Sequence, residues 1–186
     1  VRYVTAEAAY YSGSNPGQWR LNRELSGGGA LVNMGVYAIQ SLIYGTGENP
    51  IAVSAQEYST RPDYFKDTDE TITAQFRFKS EAIGQMLTSH NMNANKMNVN
   101  CSEGWFELQP ANNYGPLSGR TSKGDSITFP HESQQKLQMD DFAKHILFEA
   151  PNLAPGEMGR RDMVIVEAIY NSIANRGSWQ ELKFSP

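Results

Sequence analysis

Between Thr71 and Lys79 apolar and polar side chains alternate, with Ile72, Ala74, Phe76 and Phe78 on one face and Thr71, Thr73, Gln75 and Arg77 on the other. A period of two places successive side chains on opposite sides of a strand, so the segment is predicted as a strand with one packed and one polar face. Lys79-Ser80-Glu81 turns the chain into a second strand over Ala82–Ser89, and Lys96–Cys101 is expected to pair with Trp105–Gln109 around Ser102-Glu103-Gly104. Short links between consecutive strands imply antiparallel pairing, and sheet is expected from about Ile51 to Phe129. An earlier strand over Val1–Tyr11, rich in Val, Tyr and Thr, stops at the turn-forming run Ser12-Gly13-Ser14-Asn15-Pro16-Gly17.

At Ala30 the pattern becomes helical. Leu31, Val32, Met34, Val36, Ala38, Ile39, Leu42 and Ile43 cover most of the circumference, which predicts a largely buried helix. Gly45-Thr46-Gly47, with Pro50 beyond, reads as its C-terminal cap and turn. Two further helices are predicted, over Ser133–Glu149 with Leu137, Met139, Phe142 and Ile146 on one side, and over Arg160–Asn175, closed by Arg176-Gly177. The order β, α, a run of β, then α, α belongs to an α+β fold: a large open, mostly antiparallel sheet with helices packed on one face.

Composition narrows the function classes. At 186 residues the chain suits one domain, and 39% hydrophobic with 19% charged residues leaves no sign of disorder. A net charge of −4, with scattered basic residues, argues against a nucleic-acid surface. The single cysteine, Cys101, excludes an intrachain disulfide, and its strand-like setting predicts a buried free thiol. No run approaches the ~18–20 apolar residues that span a bilayer, so a soluble chain is expected, with cytoplasm and periplasm both open. The sequence enters a strand directly from Val1, without the order of a signal peptide, and its natural start is expected upstream.

On the buried-looking helix, Asn33, Tyr37, Gln40 and Tyr44 recur at spacings of four, three and four, which places them in one stripe. Buried polar groups need partners, so the stripe faces either other protein groups or a pocket that takes a polar ligand. Gly27-Gly28-Gly29 precedes the helix, where backbone amides bind anions or admit close packing. Gly45-Thr46-Gly47-Glu48-Asn49-Pro50 has Pro where a dinucleotide fingerprint needs Gly, so no cofactor-binding loop is expected in this chain. Arg20, Asn22 and Arg23 beside Trp19 offer planar donors next to an aromatic ring, suited to sugars and carboxylates or to an interdomain ion pair. Asp141, His145 and Glu149 share one helix face with metal-compatible spacing, but a solvated face accounts for them and no metal is expected. His90 and His131 stand without a paired Ser or Cys, which leaves a hydrolase triad unsupported.

The stretch from Trp19 to Tyr37, WRLNRELSGGGALVNMGVY, closely resembles the corresponding segment of the Gfo/Idh/MocA family of glucose-fructose oxidoreductase-like proteins. Gly159 to Ser172 is similar to the family's last helix. The resemblance implies an N-terminal Rossmann domain that binds NAD or NADP, absent from this chain, followed by a substrate-binding and oligomerisation domain spanning residues 1–186. It implies that Tyr37 exchanges the proton of the substrate hydroxyl, with Asn33 at its partner position; Asn33, Arg20, Asn22 and Trp19 are the candidate substrate-binding residues, the last three from their own chemistry. The family usually has Asp at the position of Asn33, and Asn orients a hydroxyl without taking up a proton. The family's Glu-Lys-Pro lysine is also missing from this chain, so the isolated domain is expected to be inactive. The function implied is that of the C-terminal half of an NAD(P)-dependent oxidoreductase acting on a sugar or polyol, as a homodimer or homotetramer through the polar face of the Thr71–Lys79 region. Two alternatives remain open: a non-catalytic sugar-binding or dimerisation domain, and part of an NAD-dependent glycoside-cleaving enzyme.

Overall fold

A computed structural model describes residues 1–130 and 132–184. The strands are β1 (Tyr3–Ala9), β2 (Pro50–Tyr58), β3 (Thr71–Phe78), β4 (Ile83–Ser89), β5 (Ala94–Asn100), β6 (Trp105–Leu108), β7 (Leu117–Thr121), β8 (Ser126–Phe129) and β9 (Gln180–Glu181). They form one nine-stranded sheet in the order β8-β7-β6-β5-β1-β4-β3-β2-β9. Only β1 against β4 is parallel; every other neighbouring pair is antiparallel. The expected β3–β4 and β5–β6 hairpins are present, and β1 inserts between them as the central strand.

The helices are α1 (Arg23–Ser26), α2 (Val36–Thr46), α3 (Gln134–Phe148) and α4 (Gly156–Ala174), with a 3₁₀ turn at Trp19–Leu21. α2 packs on β1 and β4, and α4 packs on β2 and β9. Their apolar residues share one core with the inward side chains of the sheet, among them Val4, Ile39, Leu42, Phe76, Ile165 and Ile169. The alternation predicted for β3 holds, since Ile72, Ala74, Phe76 and Phe78 are buried while Gln75 and Arg77 are exposed. α4 begins earlier than the expected Arg160, directly after Pro155, whose fixed φ suits the position before a first turn. Its Ser172 hydroxyl accepts from the Ala55 amide (2.9 Å) and donates to the Ser178 carbonyl (2.7 Å), which ties the helix to β2 and to the closing turn.

Three expectations change. The helix read from Ala30 opens with a π-type turn over Leu31–Gly35 before α2 proper, and it is buried on one side only: Tyr37 is 44% and Tyr44 70% exposed. No residue of α3 is buried, so Leu137, Phe142 and Ile146 face outward instead of packing. Cys101 lies just past β5 and is half-buried, because the chain has already turned toward Gly104. The Gly47 cap stands as expected, in the left-handed region at φ 75°, with its amide donating to Ile43.

The start of the α2 region is fixed by a buried carboxylate from the loop before β3. Asp69 accepts from the amides of Gly29 (Oδ1, 2.8 Å) and Leu31 (Oδ2, 2.8 Å), and its carbonyl accepts from Ala30 (3.1 Å). Tyr170 of α4 donates to the same carboxylate (2.7 Å). This contact needs the glycines. A Cβ on Gly29 would lie 2.1 Å from the Asp69 carbonyl oxygen, and one on Gly28 would lie 2.5 Å from the Tyr170 hydroxyl. Backbone cannot yield as a side-chain tip can, so Gly29→Ala is expected to cost at least about 2–3 kcal/mol and Gly28→Ala less. Denaturant midpoints of the two variants check that order.

Candidate functional site

The π-type turn and the first turn of α2 place Asn33 and Tyr37 together on the rim of a cleft of about 700 Å³. Its remaining walls come from the loop between β6 and β7 (Asn112, Asn113, Tyr114) and the start of α3 (Gln134, Gln138). The loop is held by Asn95 of β5, whose side-chain oxygen accepts from the amides of Ala111 (2.9 Å) and Asn112 (2.8 Å). Gln134 reaches across to the Asn113 carbonyl (2.7 Å) and joins the two walls. Among the described residues no side chain lining this cleft carries a charge; its polar groups are amides and phenols. Asn112 also has a buried Nδ2 with no partner among the described residues. Amides paired with aromatic surface suit the hydroxyls and C–H faces of a neutral polyhydroxy compound.

A smaller cavity of about 170 Å³ lies on the other side of Asn33, lined by Trp19, Arg20, Gly28, Gly29 and His90 among others. The Arg20 guanidinium stacks over the Trp19 ring at 4.5 Å. Asn33 Nδ2 lies 3.1 Å from the Tyr10 hydroxyl, to which it donates, and 3.0 Å from His90 Nε2. The Tyr10 and His90 rings meet edge to face at 5.0 Å. Burial holds the His90 imidazole below its usual range; Asp69 acts in the opposite direction and Arg20 adds to the lowering.

The predicted site residues therefore separate into groups. Asn33 and Tyr37 share the large cleft, while Trp19 and Arg20 meet Asn33 only through the small cavity. Asn22 caps α1, accepting from Leu25 (3.1 Å), and lines neither cavity. Arg23 lies over the Tyr170 ring at 5.2 Å. Of the other stripe members, Gln40 donates to Asp162 of α4 and Tyr44 points to solvent, since the apolar side of α2 is turned to the sheet. On α3, Asp141 accepts from the Leu153 amide (3.0 Å) and the His145 ring meets the Ala150 carbonyl (2.7 Å). His131 lies outside the described residues. Sequence reasoning left Tyr10 and Asp69 unremarked and read His90 as isolated. His90 stands 57 positions from Asn33, and no local spacing joins them.

The chain matches the model of the GFO/IDH/MocA C-terminal domain over residues 1–107, a span that holds Asn33, Tyr37 and His90. It belongs to this family. The aldose-aldose oxidoreductase from Caulobacter crescentus, solved with glycerol, is 32% identical with a TM-score of 0.89 over 98% of this chain and 56% of that one. A D-xylose 1-dehydrogenase [NADP(+)] of Haloarcula marismortui is 26% identical over 165 residues, 85% of this chain and 45% of the relative. Levoglucosan dehydrogenase, solved with NADH and levoglucosan, shares the fold at a TM-score of 0.79 and 19% identity, over 97% of this chain and 58% of that one. The chain thus spans about half the length of these relatives.

A nicotinamide dinucleotide needs an anion site for its pyrophosphate, and the helix N-terminus here does not provide one. The Gly29 and Leu31 amides that would face a phosphate are taken by Asp69. No helix among the described residues is long and apolar enough to cross a membrane.

Beside Asp69, Glu70 is buried yet held below the usual carboxylate range. Burial works against its charge, but the amides of Arg61 and Thr60 and the side chains of Ser59 and Asn91 outweigh it. Its backbone carbonyl in turn accepts from the His90 amide (2.9 Å). A depressed carboxyl pKa contributes stability above the unfolded value and loses it as pH falls through the folded one. Glu70→Gln sets an amide NH₂ against donors and is expected to cost about 1.5–3 kcal/mol at neutral pH. The variant's loss of stability on acidification should be shallower than that of the parent, as read from denaturation midpoints between neutral pH and pH ~3.

Proposed function

We propose that this chain is the substrate-binding half of an NAD(P)-dependent oxidoreductase acting on a sugar or polyol, the cofactor being held by a domain that precedes it. The observation that carries the reading is the pairing of Asn33 and Tyr37 on the rim of an uncharged, amide-lined cleft in a chain of this family. The relatives lend support: one is named for D-xylose and NADP(+), the other for aldoses.

Oxidising an alcohol removes hydride from carbon and a proton from oxygen. The cofactor supplies the hydride chemistry. In this chain Tyr37 Oη holds the proton at the reacting hydroxyl, and Asn33 orients that hydroxyl or its neighbour. A phenol ordinarily titrates near ~10, so it serves as base near neutrality only beside a positive charge. The cleft lining offers none among the described residues, and the charge is assigned to a lysine of the preceding domain.

The expected outcome for Tyr37→Phe in the full-length protein is a kcat lower by about 10²–10⁴ with KM little changed. Unchanged turnover with a good substrate would rule out the proton-transfer role. The lack of charge in the cleft also favours a second reading, a sugar-binding domain without redox chemistry. Sugar binding with no turnover, in a full-length protein loaded with NAD or NADP, would select it.

The face of the sheet turned away from the helices is open and polar, with a shallow depression of about 470 Å³ edged by Thr5, Ser54, Gln56, Thr73, Gln75 and Gln85. Flat and wide, it suits a second copy of the chain. Light scattering of the full-length protein should give a dimer or tetramer mass, and a monomeric mass would overturn this assignment.

A further inference from the structure

We propose that His90 is a positioning residue for Asn33: with its neutral Nε2 as acceptor it turns the Asn33 amide NH₂ inward and leaves Oδ1 as the group that Asn33 offers to the cleft. The inference rests on the reading of that cleft as the sugar site and deepens it, because it fixes which kind of substrate group Asn33 can take.

An amide side chain has two N–H donors and one acceptor oxygen. Both donors of Asn33 have partners on the protein side, the Tyr10 hydroxyl at 3.1 Å and His90 Nε2 at 3.0 Å. The second contact exists only if Nε2 has no hydrogen, which sets the His90 proton on Nδ1. An imidazolium would bring two donors face to face. The surroundings keep the ring neutral: it is almost wholly buried, its amide is bonded to the Glu70 carbonyl just before β3, and the Tyr10 ring stands against its edge. The charged groups acting on it are Asp69, from the loop before β3, and Arg20, from the 3₁₀ turn. Asp69 favours protonation, but its carboxylate is already engaged by two amides and the Tyr170 hydroxyl.

Oδ1 of Asn33 has no protein partner among the described residues, and Asn33 lines the cleft. With both donors turned inward it meets the ligand as an acceptor. A substrate hydroxyl next to the reacting one therefore donates to Asn33, which leaves the reacting hydroxyl and its proton to Tyr37. The neutral amide then presents the same polarity that a carboxylate would present there, without its charge.

The test uses the full-length protein and has two arms. In the first, ring ¹⁵N and ¹³C shifts of His90, assigned by comparison with His90→Gln, are followed from pH ~8 downward. The Nδ1–H tautomer is expected, persisting below the ordinary imidazole midpoint of ~6.5. An Nε2–H tautomer, or a ring that titrates in the ordinary range, would overturn the proposal. In the second arm, His90→Ala should raise the KM for the sugar about tenfold with a smaller change in kcat, and His90→Gln, which restores an uncharged acceptor near the Nε2 position, should recover most of it. Wild-type KM in His90→Ala, or a Gln variant no better than Ala, would count against the positioning role. If the full-length protein shows no turnover, the dehydrogenase reading fails, and the tautomer alone decides the role of His90.

Discussion

The carboxylate of Asp69 organises more of this molecule than its place in a loop suggests. With its own carbonyl it takes three successive backbone amides, Gly29 to Leu31, at the start of the helical region that bears Asn33 and Tyr37. Amides at a helix start have no partner within the helix, and a negative charge there is favoured by the aligned peptide dipoles. The same carboxylate receives the Tyr170 hydroxyl from α4, so one ion links the loop before β3, the site-bearing helix and the last helix. Burial, and then Asp69, push the Tyr170 hydroxyl above its usual range, which keeps it a hydrogen-bond donor. The glycine run is the steric counterpart of this anion: it admits the Asp69 backbone and leaves room for the tyrosine tip.

From that anchor the site follows in short steps. The π-type turn over Leu31–Gly35 continues into α2, and Asn33 and Tyr37 emerge on the same cleft rim. The opposite side of α2 is committed to the core through Ala38, Ile39 and Leu42, so the helix cannot rotate without exposing apolar surface. Behind Asn33, Tyr10 extends from the end of β1 and His90 from the end of β4, the one parallel pair in the sheet. Parallel strands end on the same side, and for that reason two residues 80 positions apart in the chain can close on one amide.

Much of the scaffold was legible because its signals are local. Alternation in β3, the turn at Ser102-Glu103-Gly104 and the Gly47 cap each depend on a few adjacent residues, and each appears where expected. Tyr37 and Asn33 entered through spacing and family resemblance, and the cleft brings them together. The central position of β1 was not legible, since strand order is set by long-range pairing. Nor was the role of Asp69, His90 or Glu70: a single polar residue next to a strand reads the same whether it ends buried or in water. α3 shows the opposite failure. Its apolar side was read correctly as apolar, but periodicity says nothing about what covers a face, and among the described residues nothing covers this one.

The residue at position 33 is best understood together with its neighbours. A carboxylate there would have no hydrogen to give to Tyr10 or His90, and it would bring a second negative charge near Asp69. It would have to accept from the Tyr10 hydroxyl and from an Nε2–H of His90, which is the opposite tautomer and leaves the added charge in a buried setting. Arg20 is the charged group that lines the adjoining cavity, and its guanidinium is stacked on Trp19. Asparagine resolves the conflict by supplying two donors to the protein and one acceptor to the ligand with no charge to stabilise. An uncharged Asn33 and a neutral buried His90 are thus a matched pair, and replacing either one changes what the other can be.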